Sequence, residues 1–151
     1  MSHIHVAVSA LVAAPPTTVY TILADYNNHH PHILPKPYFS GIEVEQGGYG
    51  EGTLLRVHMQ ALGRKYVYHM RVTEPEPGRI LAETDINTGL VTTFTVEPGE
   101  NQGAKVTIAT TWEPERGIKG LLDRIGTPPM MRRIYAQELE YLKQYAQRVR
   151  V

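Results

Sequence analysis

The residue best placed to do chemistry is Glu138, because it is a carboxylate set into an apolar stripe. Residues 129–148 read PMMRRIYAQELEYLKQYAQR. At helical periodicity Met130, Met131, Ile134, Tyr135, Leu139, Leu142, Tyr145, Ala146 and Val149 share one half of the cylinder. Glu138 falls near the middle of that half, bracketed by Met131, Ile134, Leu142 and Tyr145. An unpaired buried charge is costly, so a carboxylate there needs a basic partner, a neutralising proton or a wet cavity. Desolvation would raise its pKa and a nearby cation would lower it. Facing a cavity, it is a candidate general acid or base, or an anchor for a ligand hydroxyl. Paired with a basic side chain, or turned to solvent at a sheet edge, it would be structural. The first alternative predicts that Glu138→Gln alters ligand binding or turnover more than stability.

Other candidate motifs carry less. His29-His30-Pro31-His32, with His3 and His5 elsewhere, invites a metal reading. Closed zinc sites need three or four converging ligands, Pro31 forces a bend, and neither H-E-x-x-H nor a helical pair of histidines one turn apart is present. The expectation is no metal, with these histidines forming a polar loop at a pocket mouth near Tyr38 and Phe39. The run GGYGEG at residues 47–52 lacks the following helix and the Lys-Ser/Thr pair of a phosphate loop, and reads as a flexible hairpin loop that gates a cavity. Ser2, Ser9 and Ser40 sit in no nucleophile motif, and the absence of cysteine excludes disulfides and thiolate chemistry.

The elements that must position these residues follow from periodicity. Ile4, Val6, Val8, Ala10 and Val12 alternate with polar or small residues, as in a half-buried strand. Pro15-Pro16 ends it and starts a short helix over 17–25, since proline fits a first helical turn. Strands are predicted over 41–45, 53–61, 65–73, 79–85, 90–97 and 104–112, with turns at Leu62-Gly63, residues 74–78, residues 87–89 and residues 98–103. Their apolar faces carry Leu55, Val57 and Met59, then Tyr66, Tyr68 and Met70, then Phe94, then Ile108 and Trp112. Residues 117–125 predict a turn or two of helix, interrupted at Thr127-Pro128-Pro129 before the main helix. Strands joined by short turns make an antiparallel meander with one apolar face to be covered, an α+β architecture in one domain spanning 1–151.

Composition closes off several classes. Fifteen basic and fifteen acidic residues leave no net charge, so nothing favours nucleic acid as a partner. No apolar run is long enough to span a bilayer, the N-terminal apolar stretch lacks a basic flank, and a cytoplasmic location without stable membrane insertion is expected.

Several strings, APPTTVYTILADYNNHHPHILP, GGYGEGT, VTEPEPGRILAE, GLVTTFTVEP and RRIYAQELEYLKQYA, resemble the START-like, helix-grip superfamily that includes the major birch pollen allergen and the polyketide cyclase/dehydratase group. The segment LADYNNHHPHILP is also similar to that of the coenzyme Q-binding branch, with approximate spacing around Asp25, Pro31, Leu34 and Pro35. The resemblance implies a curved antiparallel sheet of six or seven strands wrapped around a long C-terminal helix, with short helices after the first strand and a cavity between sheet and helix. It implies that Leu55, Val57, Met59, Tyr66, Tyr68, Met70, Phe94, Ile108 and Trp112 face that space from the sheet. Met131, Tyr135, Glu138 and Leu142 would face it from the helix, with Tyr38 and Phe39 near the mouth. Aromatic hydroxyls and flexible thioethers on such walls suit a mainly apolar pocket with a few polar anchors.

Three functions fit. The favoured one is binding or transport of a hydrophobic or amphipathic small molecule, a lipid, isoprenoid, quinone or polyketide, without a cofactor. The alternative is a cofactor-free cyclase/dehydratase-like enzyme in which Glu138 and tyrosines such as Tyr66, Tyr68 and Tyr135 steer protons. The third is a chaperone-like or protein-partner module, hinted at by Arg132-Arg133 and Arg148 with Arg150, a pattern shared with any solvated helix face.

Overall fold

The computed structural model describes residues 3–61, 63–114 and 117–149, and the backbone alone over 118–125. Leu62 of the expected hairpin turn and Arg150 of the basic cluster lie outside the described residues. Alternation along the chain is realised as seven strands: β1 (Ile4–Val12), β2 (Phe39–Gln46), β3 (Leu54–Ala61), β4 (Arg64–Glu76), β5 (Ile80–Asp85), β6 (Val91–Pro98) and β7 (Ala104–Trp112). They form one antiparallel sheet in the order β1-β7-β6-β5-β4-β3-β2. The meander from β2 to β7 follows the chain, and β1 closes the far side by pairing with β7 from Ile4↔Trp112 to Val12↔Ala104.

Between β1 and β2 the chain must cross from one sheet edge to the other, and it does so through α1 (Pro16–Ala24) and a short 3-10 turn (His30–Ile33). Asp25 ends α1 and accepts the backbone N–H groups of Asn27 and Asn28 at 3.1 and 2.9 Å, turning the chain. Within this turn His30 is buried, His29 half-buried and His32 exposed, so His30, expected in a polar loop at the mouth, instead reaches the interior. The position of the turn is fixed by the N–H of His30 on the carbonyl of Asp25, at 2.8 Å.

Residues 47–52 also differ from expectation. They are tied down, not free to gate: Tyr26 N–H donates to Gly48, Gly50 N–H to Ala24 and Gly52 N–H to Val72. None of them lines the cavity described below. Gly50 has φ 61°, and a Cβ there would stand 2.4 Å from a Glu74 carboxylate oxygen, so the close approach needs glycine.

The C-terminal helix is longer than its sequence suggests. α2 runs Ile118–Arg148 and passes through Pro128 and Pro129, where an interruption is expected from the missing donors. The fixed φ of proline is itself helical, so two absent hydrogen bonds do not redirect a chain held by turns on either side. α2 packs on β1, α1 and the 3-10 turn, and buries Ile134, Leu139 and Leu142 completely. Each of these contributes about 1.5–3 kcal/mol by leaving water. The turn after β4 is shorter than the sequence implies: β4 continues to Glu76, leaving residues 77–79 to reverse the chain.

Candidate functional site

Where sheet and α2 separate, they leave a cavity. Its volume is about 60 Å³. β3 contributes Leu55, Val57 and Met59, which alternate inward while Arg56 and Gln60 point out. β4 adds Tyr68 and Met70, β6 adds Thr92 and Phe94, and β7 adds Thr110. On α2, Met131, Tyr135 and Glu138 are spaced one turn apart, so all three face the same wall. Phe39 also lines the space.

Five sequence-derived candidates stand elsewhere. Ile108 and Leu142 are fully buried in the packed core, because the interior is filled one turn past Glu138. Tyr38, Tyr66 and Trp112 are half-buried at strand ends; Tyr66 stacks on Tyr68 with ring centres 6.1 Å apart rather than reaching the cavity. Conversely, Tyr26, Ile42, Glu83, Leu90, Thr92 and Thr110 line the cavity and were not singled out from sequence, while His30 and Leu34, read there as part of a loop at the mouth and of a family-like segment, line it too.

The lining divides by depth. Leu34, Phe39, Ile42, Tyr68, Leu90 and Met131 are half-buried and form an apolar rim. Apart from the Tyr68 phenol the polar groups are buried, among the equally buried Leu55, Val57, Met59, Met70 and Phe94. Glu138 is 2% exposed, His30 3% and Glu83 7%. Tyr26 O–H donates to Glu83 Oε2 at 2.6 Å. His30 Nδ1–H donates to the Leu23 carbonyl at 2.6 Å, since a carbonyl can only accept, and the ring stacks on Tyr26 with centres 4.6 Å apart. Thr92 and Thr110 hydroxyls are 2.7 Å apart, and Tyr135 bonds to Thr110.

Glu138 has no hydrogen bond or ion pair among the described residues, and no side-chain oxygen in that set is both sealed from solvent and unpartnered. Its carboxyl therefore opens on the cavity. Burial first, and the Glu83 carboxylate second, hold it well above the ordinary carboxylate range. Of the routes open to a carboxylate on an apolar face, Glu138 shows the cavity and a raised pKa, with no basic partner among the described residues. Burial also pushes up the phenols of Tyr26, with help from Glu83, and of Tyr135.

Residues 3–147 match the family model described as polyketide cyclase / dehydrase and lipid transport. The chain belongs to this family. No curated protein matches it. Among solved structures of the same helix-grip fold, the chain is similar to the KanY protein at 30% identity and TM-score 0.84, covering 97% of this chain and 99% of that one. It is similar to TTHA0849 from Thermus thermophilus at 22% identity and TM-score 0.77, covering 95% and 97%. The Zhui aromatase/cyclase from a Streptomyces species shares 18% identity at TM-score 0.73, covering 97% and 95%, a likeness of fold. No helix among the described residues is long and apolar enough to cross a membrane.

Proposed function

We propose that the chain is one ligand-binding unit that holds a largely apolar small molecule, with a single polar end, between sheet and α2. The observation that carries this reading is the make-up of the cavity wall: mostly apolar side chains from sheet and helix, with one buried polar group of Glu83, Glu138, Tyr26 and His30 among them. Pockets for organic ligands span roughly 300–1000 Å³, and the cavity at about 60 Å³ is smaller, so a guest must widen it. Met59, Met70 and Met131 on its walls are the side chains that can give way. The family description, which joins lipid transport to polyketide chemistry, supports the same reading.

The test is extraction of the purified protein with organic solvent, followed by mass spectrometry, alongside a Met59→Trp variant that fills the cavity. The expected result is a small molecule in near-stoichiometric amount from the native chain and none from a folded Met59→Trp. An empty native protein that also fails to bind the neutral dye Nile red would sink the proposal.

A second reading, proton-steering catalysis of the cyclase/dehydratase type, is favoured by one observation. A carboxyl whose pKa burial pushes up, Glu138, lines the same cavity as a second carboxyl, Glu83. Two carboxyls in one cavity are the minimum for paired acid and base work. It would be supported if Glu138→Gln and Glu83→Gln each abolished turnover of a poly-β-ketone substrate while both variants still bound Nile red.

A further inference from the structure

A cavity of about 60 Å³ takes a guest only by parting two of its walls, and the walls are not equally free to part. β3 to β7 are bonded strand to strand along the sheet side. Much of the remaining wall comes from two separate pieces: α2, with Met131, Tyr135 and Glu138, and the α1–β2 connection, with Tyr26, His30 and Leu34. The connection is built as a strap with both ends fixed to the sheet. Near one end Tyr26 O–H donates to Glu83 on β5, and at the other the Gln60 N–H on β3 donates to the Tyr38 carbonyl at 2.7 Å. Between these anchors the backbone bonds within itself: the N–H groups of His29 and His30 return to the Asp25 carbonyl, and that of His32 to His29.

The middle of the strap is joined to α2 by a clasp of side chains around Tyr145. His29 Nδ1 and the Tyr145 hydroxyl are 2.7 Å apart. Either tautomer of His29, neutral or protonated, sustains that bond, because a hydroxyl both donates and accepts. The His32 ring stacks on Tyr145 with centres 5.3 Å apart, and the Arg148 guanidinium carbon lies 5.9 Å from the centre of the same ring. Tyr145 stands two helical turns beyond Glu138 and outside the cavity lining. Leu34 on the strap and Met131 on α2 are half-buried at the rim. The seam between strap and helix is thus open at the rim and clasped at Tyr145.

We infer that a guest enters by parting the strap from α2, and that the His29–Tyr145 bond is the latch of this entrance. The inference rests on the ligand-binding reading above and adds the route and its gate. Tyr145 lies outside the space that a guest fills, so it acts on passage and not on fit. With the seam closed in both the empty and the filled protein, loss of the bond speeds entry and exit by one factor and leaves affinity unchanged.

Stopped-flow fluorescence of Nile red with the full-length protein reads both rates. Tyr145→Phe keeps the ring and removes the hydroxyl. Entry and exit are each expected to quicken about fivefold, as loss of one neutral hydrogen bond from the closed state implies, with Kd within about twofold of native. His29→Leu, checked for folding by circular dichroism, should do the same from the other half of the latch. Tyr20→Phe removes a hydroxyl bonded to Glu74, outside the seam, and should leave both rates as they are. That control separates a latch from a general loss of stability. Native rates in either latch variant, faster exit without faster entry, or an equal gain in Tyr20→Phe would overturn the latch while leaving the cavity a ligand site. Failure of Nile red to bind the native protein would remove the ligand-binding reading, and the latch with it.

Discussion

Two tyrosine–glutamate pairs in this molecule have the same chemistry and opposite fates. Tyr20 O–H donates to Glu74 Oε2 at 2.6 Å, and Tyr26 O–H donates to Glu83 Oε2 at 2.6 Å. Glu74 goes on to saturate itself: its other oxygen accepts the backbone N–H of Glu51 at 2.8 Å, while Glu51 accepts that of Glu74 at 2.9 Å. That reciprocal clasp joins the 47–52 segment to β4 and, through Tyr20, to α1. Glu83 has no such second donor and faces the cavity beside Glu138. Asp85, two residues along β5, follows Glu74: it accepts from the N–H of His69 and from the N–H and O–H of Thr88. Burial alone does not separate the structural carboxylates from the functional candidates, since Asp85 is as hidden as Glu138. Unfilled acceptor capacity does.

The comparison can be broken at its tyrosines. Tyr26→Phe removes the donor that the described residues provide to Glu83, and leaving a buried carboxyl without one costs about 2–3 kcal/mol. Denaturant unfolding should register that loss together with weakened ligand binding. A loss of stability with binding intact would place Glu83 among the structural group.

Glu138→Gln sharpens the contrast through pH. Because the folded-state pKa of Glu138 is raised, the native protein holds this proton more tightly than the unfolded chain does. The resulting stability is complete below the ordinary carboxylate value of 4.5 and is lost as pH rises through the raised one. Glu138→Gln is expected to lose that decline, so the variant gains on the native protein in melting temperature between mildly acid and alkaline buffers. Parallel curves would mean that Glu138 ionises in the fold as freely as in the unfolded chain.

The smallest effect belongs to the saturated pair. Tyr20→Phe leaves Glu74 bonded to the Glu51 backbone and partly in reach of water, for a cost of about 1 kcal/mol and no change in ligand affinity. An effect of Tyr20→Phe on binding as large as that of Tyr26→Phe would dissolve the distinction.

How much of this was legible in the sequence depended on period. β3, β4, β6 and β7 alternate cleanly, and the last turns of α2 carry a helical stripe, so the meander and the carboxylate on the stripe could be read from sequence, while the pairing of β1 with β7 could not. Glu83 could not. β5 has apolar residues on both parities, with Ile80 and Ala82 against Leu81, and alternation then assigns no face. Its pairing with Thr92 across β6 supplies the face that parity withheld. His30 was legible as a neighbour of the pocket but not as a buried one: a four-residue 3-10 turn is too short to show a period, and a run of histidines and asparagines has the composition of a polar loop. The extension of α2 through Pro128-Pro129 ran against a sound local rule that tertiary packing overrode.

The central claim is that the Glu83–Glu138 end of the cavity is where a ligand is held. Carbon NMR of side-chain carboxyl-labelled glutamate tests it directly, because the same sample reports Glu138, Glu83 and the saturated Glu74. The account predicts that at neutral pH the Glu138 carboxyl is still protonated, and that adding dodecanol shifts the Glu138 and Glu83 signals while Glu74 stays in place. A Glu138 signal that titrates in the ordinary carboxylate range and does not move with ligand would contradict it.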